Sequence, residues 1–327
     1  MGEGGALKGH MARALRQVRR YLAQVDAVVE VADARAPFTS RSPQLGELVG
    51  DRLHLLVLSR GDLADPEVTR AWTAWWRARG LEPLIGEGPA DPRLVSRLRR
   101  RLAQVPAAFK PRVIVVGLPN VGKSTLLNGL AGRRRARVGA QPGVTRGRQW
   151  VDVGGFWLLD TPGVLPPRLG GTRRLVLGAL GLVGPEVAGA EEVAAFLIDR
   201  LGGHPAFQAA LNRWGIAGSR SAGRAAGADR PADATAGEQG AAAPRGGAAH
   251  PAARAGVEAV LEQLARRRGL LGPGGRPDLH RAAAVLVAAF RAGELGRFSL
   301  EHPDAVGRRS APEEPAAGAG DPVSSSE

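Results

Sequence analysis

Short apolar runs alternate with amphipathic stretches through the first half of the chain. Ala27–Ala32, Leu53–Leu58, Arg112–Val116 and Phe156–Leu159 have the length and β-branched content of buried strands. Glu82-Pro-Leu-Ile85-Gly86 predicts a further short strand. This rhythm indicates an α/β fold built on an open sheet. Beyond about Arg173 the period becomes helical: Glu191–Leu201 is one helix, and Leu279–Ala292 is another, with Leu279, Ala282, Ala283, Leu286, Ala289 and Phe290 on one face. A second, helical domain is therefore expected. Near the start, Met11, Leu15, Val18 and Leu22 form a stripe with Arg13, Arg16, Arg19 and Arg20 mostly off it, which predicts a basic amphipathic helix.

From Ala217 to Gly256 there is no Val, Ile, Leu, Met, Phe, Trp or Tyr, so this stretch is expected to be a disordered insertion. The tail 308–327, rich in Pro, Gly, Ser and Glu, is expected to be mobile. The predicted layout is a basic helical segment over 1–24, a sheet domain over 25–168, and a helical domain over 173–300 interrupted at 217–256.

Composition narrows the picture. A chain of 327 residues favours two domains. No cysteine is present, which removes disulfides, thiolate zinc sites and thiol redox chemistry. No stretch approaches the length of a membrane span, and the N-terminus lacks the pattern of an export signal, so a cytoplasmic protein is expected. The net charge of +14, from 45 basic and 31 acidic residues, suits a polyanionic partner. Arginines cluster at 97–101, 133–137, 146, 148 and 266–268; a solvated helix face is the ordinary explanation for any one cluster, and only their sum bears weight.

The chemistry sits at strand ends. Val113–Val116 leads into Gly117-Leu-Pro119-Asn120-Val121-Gly122-Lys123-Ser124 and then Thr125-Leu-Leu-Asn, a strand, G-x-x-x-x-G-K-S loop and helix. Its glycines let backbone N–H groups converge on phosphates, Lys123 brings a point charge, and Ser124 offers a hydroxyl to Mg²⁺. Phe156-Trp-Leu-Leu-Asp160-Thr-Pro-Gly163 ends another strand in a carboxylate for the magnesium side and a Gly163 amide for the γ-phosphate. Between them, Pro142-Gly-Val-Thr145 supplies a switch threonine as a further Mg²⁺ ligand.

No N-K-x-D segment follows Gly163, where most GTPases carry their guanine-reading motif. The candidates lie upstream, in Ser59-Arg60-Gly61-Asp62 after one strand and at Gly86 after the next. This order implies a circularly permuted P-loop GTPase sheet with a C-terminal α-helical domain. The strand ending near Asp62 is expected beside the strand entering Gly117.

With these segments in place, the chain resembles the circularly permuted ribosome biogenesis GTPase A (YlqF-type) family over most of residues 9–300. The likeness is carried by Gly9-His10-Met11-Ala12, Asp33-Ala-Arg35-Ala-Pro37 with Ser40-Arg41-Ser42-Pro43, and Gly117–Ser124 with Asn120. It extends through Pro142–Thr145 and Leu158–Val164 to the closing stretch from Asp278 to Glu301. The resemblance implies GTP hydrolysis coupled to late assembly of the large ribosomal subunit, with the helical domain docking on ribosomal RNA. It also implies a catalytic set of His10, Lys123, Thr145 and Gly163, in which His10 orients water where many GTPases have glutamine and this chain has Val164. Asn120 is implied as a K⁺ ligand beside Mg²⁺ held by Ser124, Thr145 and Asp160. A monomer with neither membrane nor DNA as partner is expected.

Three positions depart from the family pattern: Ser59 and Arg60 replace Asn and Lys, and Gly86 replaces a serine. Asp62 is intact, so guanine preference is expected to survive. Arg60 is expected to lie over the base, and Ser59 to be too short to brace the phosphate loop, weakening affinity. A nucleotide-gated RNA-binding protein with little hydrolysis is the alternative; a metabolic P-loop ATPase is disfavoured by Asp62.

Overall fold

A computed structural model of the chain describes residues 21–41, 45, 48–50, 52–88, 91–132, 150–160, 169–217 and 251–307. A six-stranded sheet forms from β1 (Ala27–Asp33), β2 (Leu53–Ser59), β3 (Leu84–Ile85), β4 (Arg112–Gly117), β5 (Trp150–Asp152) and β6 (Trp157–Asp160), in the order β3-β2-β1-β4-β6-β5. All neighbours run parallel except β5, which is antiparallel to β6. β1 is buried along its whole length, as a central parallel strand covered on both faces must be.

This order corrects one expectation. β2 does not lie beside β4: β1, buried along its whole length, takes the central place and pairs with both. The half of the sheet encoded before the phosphate loop (β3, β2, β1) meets the half encoded from it onward (β4, β6, β5) at the β1–β4 seam. Parallel strands put their C-terminal ends on one edge, where ligands of open α/β sheets bind.

Helices cover the sheet. α1 (Pro66–Arg77) and α2 (Pro92–Leu102) each start with an Asp cap and a proline in the first turn: Asp65 accepts from the N–H groups of Glu67 and Val68 at 2.7 and 3.1 Å, and Asp91 from Arg93 at 2.8 Å. Leu94, Leu98 and Leu102 make the buried face of α2. α3 (Lys123–Ala131) follows the phosphate loop.

The helical domain comprises α4 (Gly171–Leu180), α5 (Ala190–Leu201), α6 (Pro205–Arg213), α7 (Pro251–Arg267) and α8 (Leu279–Ala292), with a short α9 (Pro303–Gly307) after it. α8 has the limits its periodicity predicts, capped by Asp278 and closed by left-handed Gly293. α7 corrects the insertion boundary: residues 251–256, expected in a disordered segment, are helical. Their alanines carry high helix propensity, and Val257, Val260, Leu261 and Leu264 continue the helix onto the core. Residues 1–20, 218–250 and 308–327, on which most of the basic helix, most of the insertion and the tail were placed, lie outside the described residues; Tyr21 and Leu22, at the end of the expected basic helix, are helical. Among the described residues no helix is long and apolar enough to cross a membrane.

The closing segment straps the helical domain to the early half of the sheet. Leu300 N–H donates to the Arg35 carbonyl at 2.7 Å, Phe298 N–H to the Leu63 carbonyl at 3.0 Å, and Arg297 to the Gly61 and Ala64 carbonyls at 2.9 Å each. The carboxylate of half-buried Glu301 accepts from the Thr39 hydroxyl at 2.6 Å and from the Phe38 and Thr39 N–H groups. Burial raises its pKa above the ordinary carboxylate range, against the pull of those donors and of the Arg173 charge.

Candidate nucleotide-binding site

β4 ends in the phosphate loop because that loop needs backbone geometry only a few residues tolerate. Gly117 has φ +153°, and a Cβ there would lie 2.5 Å from the Val31 carbonyl oxygen of the neighbouring strand. Gly122, with φ 109°, caps α3, and Asn120 is left-handed at φ 59°. The loop leads into the N-terminus of α3, whose unsatisfied N–H groups and dipole favour an anion. Lys123 is buried, and its ammonium donates to the Leu118 carbonyl at 2.7 Å. Ser124 and Thr125, in the first turn of α3, are exposed, and Pro119 is half-buried.

Beside the loop lies a cleft of about 340 Å³ whose lining includes Ser59, Arg60, Asp62, Gly86, Asn120, Val121, Gly122 and Thr125. Residues more than fifty positions apart in the chain thus face one space. Asp62 Oδ1 accepts the Gly88 N–H at 2.8 Å, which fixes the carboxylate at the cleft. Gly61 N–H donates to the Gly86 carbonyl at 2.8 Å, tying the β2 and β3 loops together. A Cβ at Gly86 would meet Leu94 Cδ2 at 2.7 Å, so α2 packs where the usual serine would stand.

Ser59 corrects the expectation that it cannot brace the loop. Its hydroxyl lies 2.7 Å from the Val121 carbonyl, with the Ala32 carbonyl at 3.1 Å, so the short side chain reaches across the end of β1. It can do so because the loop comes close: a Cβ on Gly122 would sit 3.6 Å from Ser59 Cβ. Arg60 also differs from its expected place over a base. Its guanidinium is held by Asp33 at 3.0 Å and by the carbonyls of Leu180 at 3.1 Å and Asn120 at 3.0 Å. Asp33 is fully buried and is gripped by Arg35 through bonds of 3.0 and 2.8 Å.

β6 ends at Asp160, in register with Val115 of β4, so the acid-bearing strand ends beside the phosphate loop. His10, Thr145 and Gly163, and with them Val164, lie outside the described residues. Gly88 and Asp91, which also line the cleft, were not singled out in the sequence. The only hint was the Gly86-Glu-Gly88 pair after a short apolar run.

A family model described as a 50S ribosome-binding GTPase matches residues 112–212. A ribosome biogenesis GTPase A from Thermotoga maritima is 31% identical over 91% of this chain and 94% of its own length. Another from Priestia megaterium is 30% identical over 90% of this chain and 95% of its own length. The chain belongs to the ribosome biogenesis GTPase A family. Membership makes it a P-loop GTPase. The crystal structure of GNP-bound YlqF from T. maritima has the same fold, with a TM-score of 0.58 at 24% identity over 89% of this chain and 99% of that one. In this chain the phosphate loop is braced by the Ser59 hydroxyl on the Val121 carbonyl and the Arg60 guanidinium on the Asn120 carbonyl.

Proposed function

We propose that the chain binds GTP with Mg²⁺ in the cleft between Asp62 and the phosphate loop, and hydrolyses it in the cytoplasm during late assembly of the large ribosomal subunit, on whose precursor hydrolysis is stimulated. The observation that carries the reading is that Asp62, encoded before the loop, lines the same cleft as Asn120–Gly122. Guanine presents two N–H donors on one edge, and a carboxylate fixed there accepts both.

The residues suit this work. Phosphate oxygens compete with the Leu118 carbonyl for the Lys123 ammonium, while loop N–H groups and the α3 dipole hold the remaining charge. The exposed Ser124 hydroxyl, the carboxylate of Asp160, which ends the strand next to β4, and the Thr145 hydroxyl would supply the hard oxygen ligands a magnesium ion takes. When bound, the ion supplies positive charge to the β- and γ-phosphate oxygens. The Gly163 amide meets the γ-phosphate, and His10 orients the attacking water that Val164 cannot. Asn120 donates its amide nitrogen to the Gly181 carbonyl at 3.3 Å, and its side-chain oxygen would be the ligand for a potassium ion.

A surface for ribosomal RNA is supported on α2. Arg99 and Arg101 are used internally, on the Leu130 carbonyl and on Glu82. The Arg97 and Arg100 side chains are exposed and, with Pro92, Arg93 and Ser96, line a surface hollow of about 500 Å³. Cosedimentation with large-subunit precursors in GTP-analogue, GDP and ATP-analogue states tests the reading, together with single-turnover hydrolysis with and without the particle. GTP-dependent association with accelerated hydrolysis is expected. Association without acceleration would favour the nucleotide-gated RNA-binding protein, and nucleotide-independent association would remove both.

A further inference from the structure

The link between the phosphate loop and the helical domain is built from side chains that nucleotide binding alone does not require. Arg60 has a left-handed backbone, φ 57°, which a non-glycine residue adopts only where its surroundings impose it. Two of its nitrogens reach three acceptors in different parts of the fold. Nη1 donates to Asp33 Oδ2 at 3.0 Å and to the Leu180 carbonyl at 3.1 Å; Nη2 donates to the Asn120 carbonyl at 3.0 Å. Asn120, itself left-handed in the phosphate loop, donates its side-chain amide to the Gly181 carbonyl at 3.3 Å.

Leu180 and Gly181 close α4. A helix C-terminus leaves its last carbonyls without intrahelical partners and carries the negative end of the dipole. Here Arg291 donates to the Gly178 and Ala179 carbonyls at 2.5 and 3.2 Å, Arg60 takes Leu180, and Asn120 takes Gly181. Two of the side chains that complete this helix end therefore belong to the nucleotide cleft. The far side of the bridge is anchored as well, because Asp33 is buried and doubly bonded to Arg35.

We propose that Arg60 is a positioning residue that joins the phosphate loop to the end of α4, so that filling the loop with a triphosphate orders the helical domain. The inference rests on the GTPase reading. A lysine, which the family pattern has at this position, concentrates its donors on one nitrogen and cannot span loop, helix end and buried carboxylate with a planar fork. The exchange of lysine for arginine thus turns a base-flanking residue into a strut between domains. Triphosphate in the loop moves the Asn120 peptide; Arg60 and the Asn120 side chain carry that movement to Leu180 and Gly181; and α4 packs directly on α5 and α8.

The test is hydrogen exchange of the full chain without nucleotide, with GDP, and saturated with a non-hydrolysable GTP analogue, in wild type, Arg60→Lys and Arg60→Met. In wild type, the analogue should slow exchange at the end of α4 about fivefold relative to GDP, the equivalent of one net hydrogen bond. Arg60→Met, saturated with the same analogue, should lose that difference, and Arg60→Lys should lose most of it. Saturation separates loss of coupling from loss of affinity. A nucleotide-dependent difference that survives in both variants, even on a raised baseline, would reduce Arg60 to a static brace and overturn the inference. So would a wild-type α4 blind to nucleotide. A wild type that fails to bind any guanine nucleotide in a prior titration would instead sink the GTPase reading, and the inference with it.

Discussion

Replacing Ser59 with alanine removes one hydroxyl and little volume, at the point where an early strand touches a late loop. The bond lost is the 2.7 Å contact to the Val121 carbonyl. A neutral hydrogen bond contributes about 0.5–1.5 kcal/mol net, so an affinity loss of roughly 2- to 10-fold is expected if the whole effect falls on the loop's preorganisation. Threonine at the same position keeps the hydroxyl and should bind as wild type. The assay is equilibrium titration of a fluorescent GTP analogue at fixed Mg²⁺, with melting temperatures measured in parallel so that loss of folding is not read as loss of binding. Ser59→Ala binding as tightly as wild type would refute the idea that this hydroxyl braces the loop. Equal weakening in Ser59→Thr would locate the effect in packing against Gly122, whose Cβ position lies 3.6 Å away.

Other expectations follow from the same geometry. Lys123→Met should weaken GTP-analogue binding by about 100-fold or more, since several charge-assisted bonds to phosphate depend on one ammonium; calorimetric titration measures it. Gly117→Ala places a Cβ 2.5 Å from the Val31 carbonyl at a positive φ, and should cost about 2–4 kcal/mol of stability in urea unfolding. Glu30 is buried, and although burial pushes its pKa up, the hydrogen bond with His54 and the Arg41 charge hold it below the ordinary value. Its contribution to stability is therefore fully present above the usual glutamate range and is lost as pH falls through the lower folded-state value. Glu30→Gln should flatten the acid limb of a melting-temperature profile in that window.

Much of this fold was legible because each long strand is a mostly apolar run that leads into its own chemistry. β4 delivers the phosphate loop, β6 ends at Asp160, and β2 is followed closely by Asp62. What sequence could not supply were relations across the sheet. Nothing local says that β1 rather than β2 lies against β4, since both are equally apolar runs. The brace from Ser59 depends on the loop passing within hydroxyl reach, a distance set by residues sixty positions later. Arg60 reads as a base-flanking substitute until the end of α4 is seen to supply acceptors for its guanidinium. β5 was missed for a different reason: its three residues are too few to show a period. The start of α7 was hidden because small residues that cannot form a core alone can still extend a helix that has one.

The central claim is that an acid encoded ahead of the phosphate loop reads the base held by that loop, and exchanging the acid's chemistry tests it most directly. Xanthine carries a carbonyl where guanine carries its amine, so Asp62→Asn, which can donate as well as accept, should shift preference from GTP to XTP. Competition titrations of GTP, XTP and ATP against one fluorescent analogue should show wild type preferring GTP, and the variant losing GTP by about 100-fold while gaining XTP, as expected for two charge-assisted bonds. A variant that still ranks the three nucleotides as wild type does would show that Asp62 does not touch the base.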